Sequence, residues 1–290
     1  MTTTPFPFTG ARAVLTGAAS GLGEQLAHQL AARGTHLVLA DRDAERLAAV
    51  ATRIRAEHPG LSVAAEVVDL ADLGAVVRWA ERLAAEPLDL LINNAGVALR
   101  GSFGEVSAAE FDWVMAVNFQ APVALCRALL PALRRGHGGH IVNVSSVFGL
   151  IGVPGQPAYC ASKYALRGFG EVLRQELEPD GIGVTTVFPG GVRTRIAETA
   201  RVAAGAGPAT ADGDIGSLLT FPADRAATLV LEGVARRRAR VLVCRSAVIP
   251  DVLARLLPVR YPVAIRAVRA GLRRRTAPVG QSPLSPPVPR

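Results

Sequence analysis

Seven short apolar runs recur along the chain: "RAVLTG", "HLVLAD", "SVAAEVVDL", "LDLLINNAG", "HIVNVSS", "GVTTVFPG" and "RVLVC". A strand with one wet face would alternate apolar and polar residues. These runs are nearly continuous, as strands covered on both faces must be. Between them lie Ala/Leu/Arg segments long enough for helices. This pattern predicts repeated strand–helix–strand units, which means an α/β fold: a doubly wound parallel sheet with helices on both faces. A chain of 290 residues that is 50% hydrophobic can fill the core of one such domain. That domain is expected over residues 1–245, with residues 193–221 as a Gly/Ala-rich lid. A basic amphipathic helical extension is expected over 246–276. The Pro-rich end, 277–290, is expected to be disordered.

Charge and cysteine usage narrow the function classes. The net charge is +8. Residues 241–290 hold nine arginines against one acid, Asp251, so they carry the whole excess and the body is neutral. A nucleic-acid-binding surface is therefore not expected, while a local role for the tail is left open. Cys126, Cys160 and Cys244 are far apart and no Cys/His cluster has metal spacing. An intracellular, cytoplasmic protein without a metal is expected. The opening "MTTTPFPFTG" lacks the charged and apolar regions of a signal peptide.

The first run leads directly into "TGAASGLG", Thr16 to Gly23, and then a helical pattern. Glycines at 17, 21 and 23 permit a tight turn and close approach of a ligand, flanked by Ser20 and Leu22. The free N–H groups of the following helix suit a pyrophosphate. A merely tight turn is the plain alternative. The second run ends at Asp41. A carboxylate there accepts hydrogen bonds from a ribose 2′-hydroxyl and repels a 2′-phosphate, which favours NAD. Arg42 beside it leaves NADP open, and a surface aspartate in a turn is the bland reading.

The composition contains a second signal. Of 32 Lys plus Arg, a single residue is lysine: Lys163, in "YCASK", four residues after Tyr159. On a helix, positions i and i+4 share a face, so both side chains point into one site. An ammonium beside a phenol is expected to lower the phenol pKa from about 10. Tyr159 could then exchange a proton with a substrate oxygen. Arginine, bulkier and forked, could not act as the same compact donor. A solvated surface lysine is the competing reading.

These motifs together resemble the classical short-chain dehydrogenases/reductases over roughly residues 10–245. The matches are "TGAASGLG", Asp69 after the third run, "NNAG" at 93–96, Asn118, Ser146, "YCASK" and "PGGVRT" at 189–194. The resemblance implies a Rossmann-like fold and NAD(P)-dependent hydride transfer, with Asn118, Ser146, Tyr159 and Lys163 catalytic. It implies that Asp69 and Leu70 contact adenine, and that Asn93, Ala95 and Gly96 line the adenosine side. Pro189, Gly190, Val192 and Thr194 would hold the carboxamide, Val192 through its backbone N–H. Ser146 would bond the substrate oxygen; strand alternation turns Ser145 the other way. Asn118 would hold a water joining Lys163 to solvent, or simply be a satisfied residue in a bent helix. Dimers or tetramers are implied.

The apolar stretch after Ser146, with Phe148, Leu150 and Ile151, suggests a hydrophobic alcohol or ketone as substrate. Beyond Cys244, two short helical patterns flank Pro258 and Pro262. In the second, Ile265, Val268 and Leu272 share one face and Arg266, Arg269 and Arg273 another. Peripheral contact with a membrane, a cover over the substrate pocket and a subunit interface are the three readings of this extension. A non-catalytic dinucleotide-binding sensor or scaffold is the alternative function, though a scaffold needs no proton relay.

Overall fold

The computed structural model describes residues 4–196, 198–207 and 219–265. Seven strands form one parallel sheet: β1 (Arg12–Thr16), β2 (His36–Asp41), β3 (Val63–Val67), β4 (Leu90–Asn93), β6 (His140–Val144), β7 (Gly183–Pro189) and β9 (Arg240–Val243). Two short strands, β5 (Leu99–Arg100) and β8 (Arg201–Val202), pair separately. The sheet order is β3-β2-β1-β4-β6-β7-β9. The chain winds outward from β1 in one direction, then returns and winds outward from β4 in the other. The crevice between β1 and β4 is the switch point where such sheets bind ligands.

The continuity of the apolar runs has a direct cause. Leu15, Leu37, Leu39 and Ile92 point into one core, built with α1 (Gly21–Ala31), α2 (Ala44–Glu57) and α7 (Ala223–Ala235). Val14, Val38, Leu91 and Ile141 point into a second core, built with α3 (Leu73–Leu83) and α5 (Ala121–Arg135). Neighbours along each central strand thus serve opposite cores, and only the edge strand β3 turns residues such as Val67 to water. The Rossmann-like doubly wound architecture is the one the run pattern predicts.

Between α4 (Ala108–Met115) and α5 the helix does not stop. It continues through a π-helical turn, Ala116–Gln120, whose last bond runs from the Ala121 N–H to the Ala116 carbonyl. The joined stretch Ala108–Arg135 is long and apolar enough to span a bilayer by length and composition. Here Leu125, Leu129 and Leu133 instead pack into the second core, so it is a core helix. The described part of the 193–221 segment is fixed at both ends. The Arg193 N–H bonds the Phe221 carbonyl at 2.8 Å, and the Ala204 N–H bonds Glu110 Oε1 at 2.9 Å. Residues 197 and 208–218 of that segment, and 266–290 at the end, lie outside the described residues.

Candidate active site

The cleft opens at the carboxyl ends of β1, β2, β4, β6 and β7. Its floor is the glycine turn. Gly17 and Gly21 have φ of +68° and +57°, values that L side chains rarely adopt. Gly23 has a different constraint: a Cβ there would collide with the Gly17 carbonyl and come 2.6 Å from Asn94 Nδ2. The turn is held from above by β4's exit. Asn94 Nδ2 donates to the carbonyls of Thr16 (3.0 Å) and Gly17 (3.1 Å), and Thr16 Oγ1 accepts from the N–H groups of Asn94 and Ala95.

Helix α1 starts at this turn with its amides uncovered. Asp43 and Asp72 cap α2 and α3 through side-chain oxygens, whereas Ser20 makes no side-chain cap bond to α1. Uncapped N–H groups and the positive helix end favour an anion. At the far rim, Asp41 is held rigidly: one oxygen accepts from the Ala19 N–H (3.0 Å), the other from the Asp43 N–H (3.1 Å). Asp69 and Leu70 line the same end of the cleft. A glycine cradle, uncovered helix amides and a fixed rim carboxylate are the features a dinucleotide needs, and the residues present fit one.

At the other end stand the polar side chains of β6 and α6 (Pro157–Glu176). Tyr159 sits in the first turn of α6 and Lys163 one turn on, both buried and facing the cleft. Lys163 Nζ lies 5.8 Å from the Tyr159 ring centroid and donates to the Val144 carbonyl at 3.0 Å. Ser146 lines the same wall of the cleft, and its hydroxyl lies near enough to the Tyr159 phenol to favour the phenolate. Its Oγ also accepts from the Phe148 N–H, which fixes the turn that follows. Ser145 faces away and donates to the Lys163 carbonyl at 2.8 Å. Gly96 leaves room for the lysine: a Cβ there would lie 3.2 Å from Nζ.

The electrostatics correct one expectation. Burial pushes the Tyr159 phenol up to about 12, and the nearby Ser146 hydroxyl offsets only part of this. Burial likewise pulls the Lys163 ammonium down to about 8. In the protein alone, Lys163 does not make the phenol acidic. Withdrawing a phenolate from water is the largest influence on this group and outweighs what favours its ionisation.

The lysine shift sets a pH-dependent stability. The unfolded chain keeps the Lys163 proton up to about 10.5, the folded chain only to about 8. Between these values the unfolded state binds more protons, so stability rises with pH. Below about 8 the full penalty, roughly 3 kcal/mol, is present. Wild-type stability relative to Lys163→Met should therefore improve from pH 8 towards 10.5. Denaturant titrations of both proteins across that range check this; parallel curves would contradict it.

Three other expectations are modified. The Asn93 side chain does not reach the cleft; it bonds Asn143 (2.9 Å) and Cys126 (3.5 Å) inside the protein, and Asn94 lines the cleft instead. Asn118 exchanges two hydrogen bonds with the Val97 backbone (2.8 and 2.9 Å) and donates to Ser162, so its side chain is satisfied. It sits on the π turn, where the helix carries an extra residue. The Val192 N–H is engaged by the Gly190 carbonyl at 2.9 Å, so donating to a ligand means replacing that bond. Pro189, Gly190 and Val192 line the cleft, and Thr194 covers Gly21.

Comparison with known proteins agrees with this geometry. The family model for short chain dehydrogenases matches residues 11–204. The chain belongs to the short-chain dehydrogenase family. "Putative oxidoreductase SadH" of Mycobacterium tuberculosis is 38% identical over 270 residues, covering 91% of this chain and 96% of that protein. A short chain dehydrogenase/reductase from Burkholderia phymatum, solved in complex with NAD, is 30% identical with a TM-score of 0.77. That match covers 97% of this chain and 99% of the other. A short-chain dehydrogenase from Sphingobium yanoikuyae, solved with NADPH, is 29% identical with a TM-score of 0.71. It covers 94% and 99% of the two chains. This short-chain dehydrogenase is therefore an oxidoreductase with a nicotinamide-dinucleotide type of site.

Proposed function

We propose that this short-chain dehydrogenase interconverts a hydrophobic alcohol and its ketone, with Tyr159 as the proton-transfer group. The observation that carries the proposal is the trio of Ser146, Tyr159 and Lys163 lining one end of a dinucleotide-shaped cleft. A nicotinamide dinucleotide bound in the cleft would supply the hydride acceptor or donor. Gly17, Ser20, Gly21, Leu22 and Gly23 would cradle its pyrophosphate. Asp41 would take the adenosine ribose, with Asp69, Leu70, Ala95 and Gly96 lining the rest.

Ser146 orients the substrate oxygen towards the phenol. With its pKa near 12 the phenol is protonated at neutral pH, so in the reductive direction it donates to the oxygen of the carbonyl. In the oxidative direction it takes up that proton as phenolate. Lys163, whose pKa near 8 keeps it mainly cationic at neutral pH, then offsets the phenolate charge. The pocket beside this trio supports an apolar substrate. Val97, Ile196 and Leu219 line it, and Phe148 sets its edge on Tyr159 at 5.9 Å. A panel of aliphatic and aromatic alcohols and ketones, followed by dinucleotide absorbance, tests the class. Turnover confined to small polar or sugar alcohols would contradict it.

We infer NAD as the preferred cofactor. The fixed Asp41 carboxylate matches a ribose diol and repels a 2′-phosphate. NAD should bind about tenfold or more tightly than NADP, and Asp41→Ala should close most of that gap. Dissociation constants for both cofactors and both proteins decide the matter; tighter NADP binding by wild type would overturn the inference.

A further inference from the structure

We propose that the helix after β9, together with the turn that follows it, is a docking face for an anionic lipid surface. This goes beyond the oxidoreductase reading and does not depend on it. The helix, α8 (Arg245–Leu256), buries Ala247 and Asp251 against the body. Asp251 fastens it there, accepting from Arg240 of β9 at 2.9 Å and from Arg255 at 3.2 Å. The chain then turns and becomes helical again at Tyr261, whose hydroxyl accepts from the Gly152 N–H at 2.8 Å.

The opposite face of α8 is apolar and open. Val248, Ile249, Val252 and Leu256 are exposed, Leu256 by 72%. At about 100° per residue these four fall within a single arc of about 100°. Val259 and Val263 are also exposed just beyond the helix, at 87% and 60%. Elsewhere on the described surface, large exposed apolar residues such as Val67 and Phe103 occur apart in the chain, which is ordinary. With Leu257, also exposed, this makes a cluster of seven on one short segment, and such a cluster needs a partner.

Charge selects the partner. Residues 241–290 carry nine arginines, and their one acid, Asp251, is consumed in fastening α8. Arg245, Arg255 and Arg260 are exposed on the same segment. A second copy of the chain would bring the same excess of positive charge to the contact and be repelled. An anionic bilayer attracts the arginines to its phosphates and accepts the apolar stripe at the acyl boundary. The sequence pattern offers membrane contact at Ile265, Val268 and Leu272 as one of three readings; all but Ile265 lie outside the described residues. The face argued here lies one helix earlier.

The test uses the full chain with phosphatidylcholine vesicles, with and without phosphatidylglycerol, separated by sedimentation. The protein should partition onto anionic vesicles about tenfold or more over neutral ones, and high salt should weaken this. Val252→Ser combined with Leu256→Ser removes apolar surface without changing charge. It should cut partitioning about tenfold while leaving dinucleotide affinity and melting temperature unchanged. Unchanged partitioning of the double variant would overturn the proposal, because arginines alone would then hold the protein. Failure of wild type to bind anionic vesicles would also overturn it. If, in addition, the double variant abolished self-association in sedimentation velocity, the stripe would belong to a second copy.

Discussion

Tyr159→Phe is expected to lower turnover by about a hundred- to ten-thousand-fold while leaving dinucleotide affinity within about threefold of wild type. The substitution removes one hydroxyl and keeps the ring. The ring contact with Phe148 and the buried position survive. What disappears is the only proton on this side chain that can reach a substrate oxygen. Ser146 is a poor replacement, since an aliphatic hydroxyl is a far weaker acid than a phenol. The effect should appear in kcat with the best substrate of an alcohol and ketone panel, at every pH. Dinucleotide titration and a melting curve on the same preparation separate lost chemistry from lost structure. Full turnover in the variant would remove Tyr159 from the mechanism.

Gly23→Ala should abolish dinucleotide binding at ordinary concentrations. The methyl group meets the backbone carbonyl of Gly17 and the Asn94 amide, neither of which can swing aside as a flexible side chain would. Either α1 or the Thr16–Gly17 backbone must shift. Overpacking of this kind costs about 1–3 kcal/mol in stability, and the displaced turn no longer presents α1's amides together. A fall in affinity of about a hundredfold or more is expected by calorimetry, with a lowered melting temperature. Gly60→Ala is the control: nothing lies within 4 Å of its Cβ position, and binding should not change. Equal affinity for Gly23→Ala and wild type would mean that the turn does not hold the ligand.

The fold was readable because a two-sided sheet leaves a plain mark: strands such as "RAVLT" and "HLVLAD" keep polar residues to their ends and spare no interior position for water. The π turn at Ala116–Gln120 had no comparable mark. It arises because Asn118 must meet the Val97 backbone while Leu125 and Leu129 stay in the core, a demand made by tertiary packing. The same limit applies at the site. Spacing places Tyr159 and Lys163 on one helix face, but it carries no information about burial. Sequence reasoning therefore assigned the wrong sign to the phenol's shift in the protein alone. Asn93 and Asn94 are adjacent and identical in type, and only the register of β4 decides which one reaches the cleft. The signal that could have separated them was parity: Leu90 and Ile92 face one core and Leu91 the other.

Lys163 is the chain's single lysine, and it is 2% exposed. Acylating reagents, aldehyde crosslinkers and lysine-modifying enzymes therefore find no side-chain amine on the outside of the molecule. Any label that did appear at residue 163 would report that the cleft had opened far enough to admit the reagent.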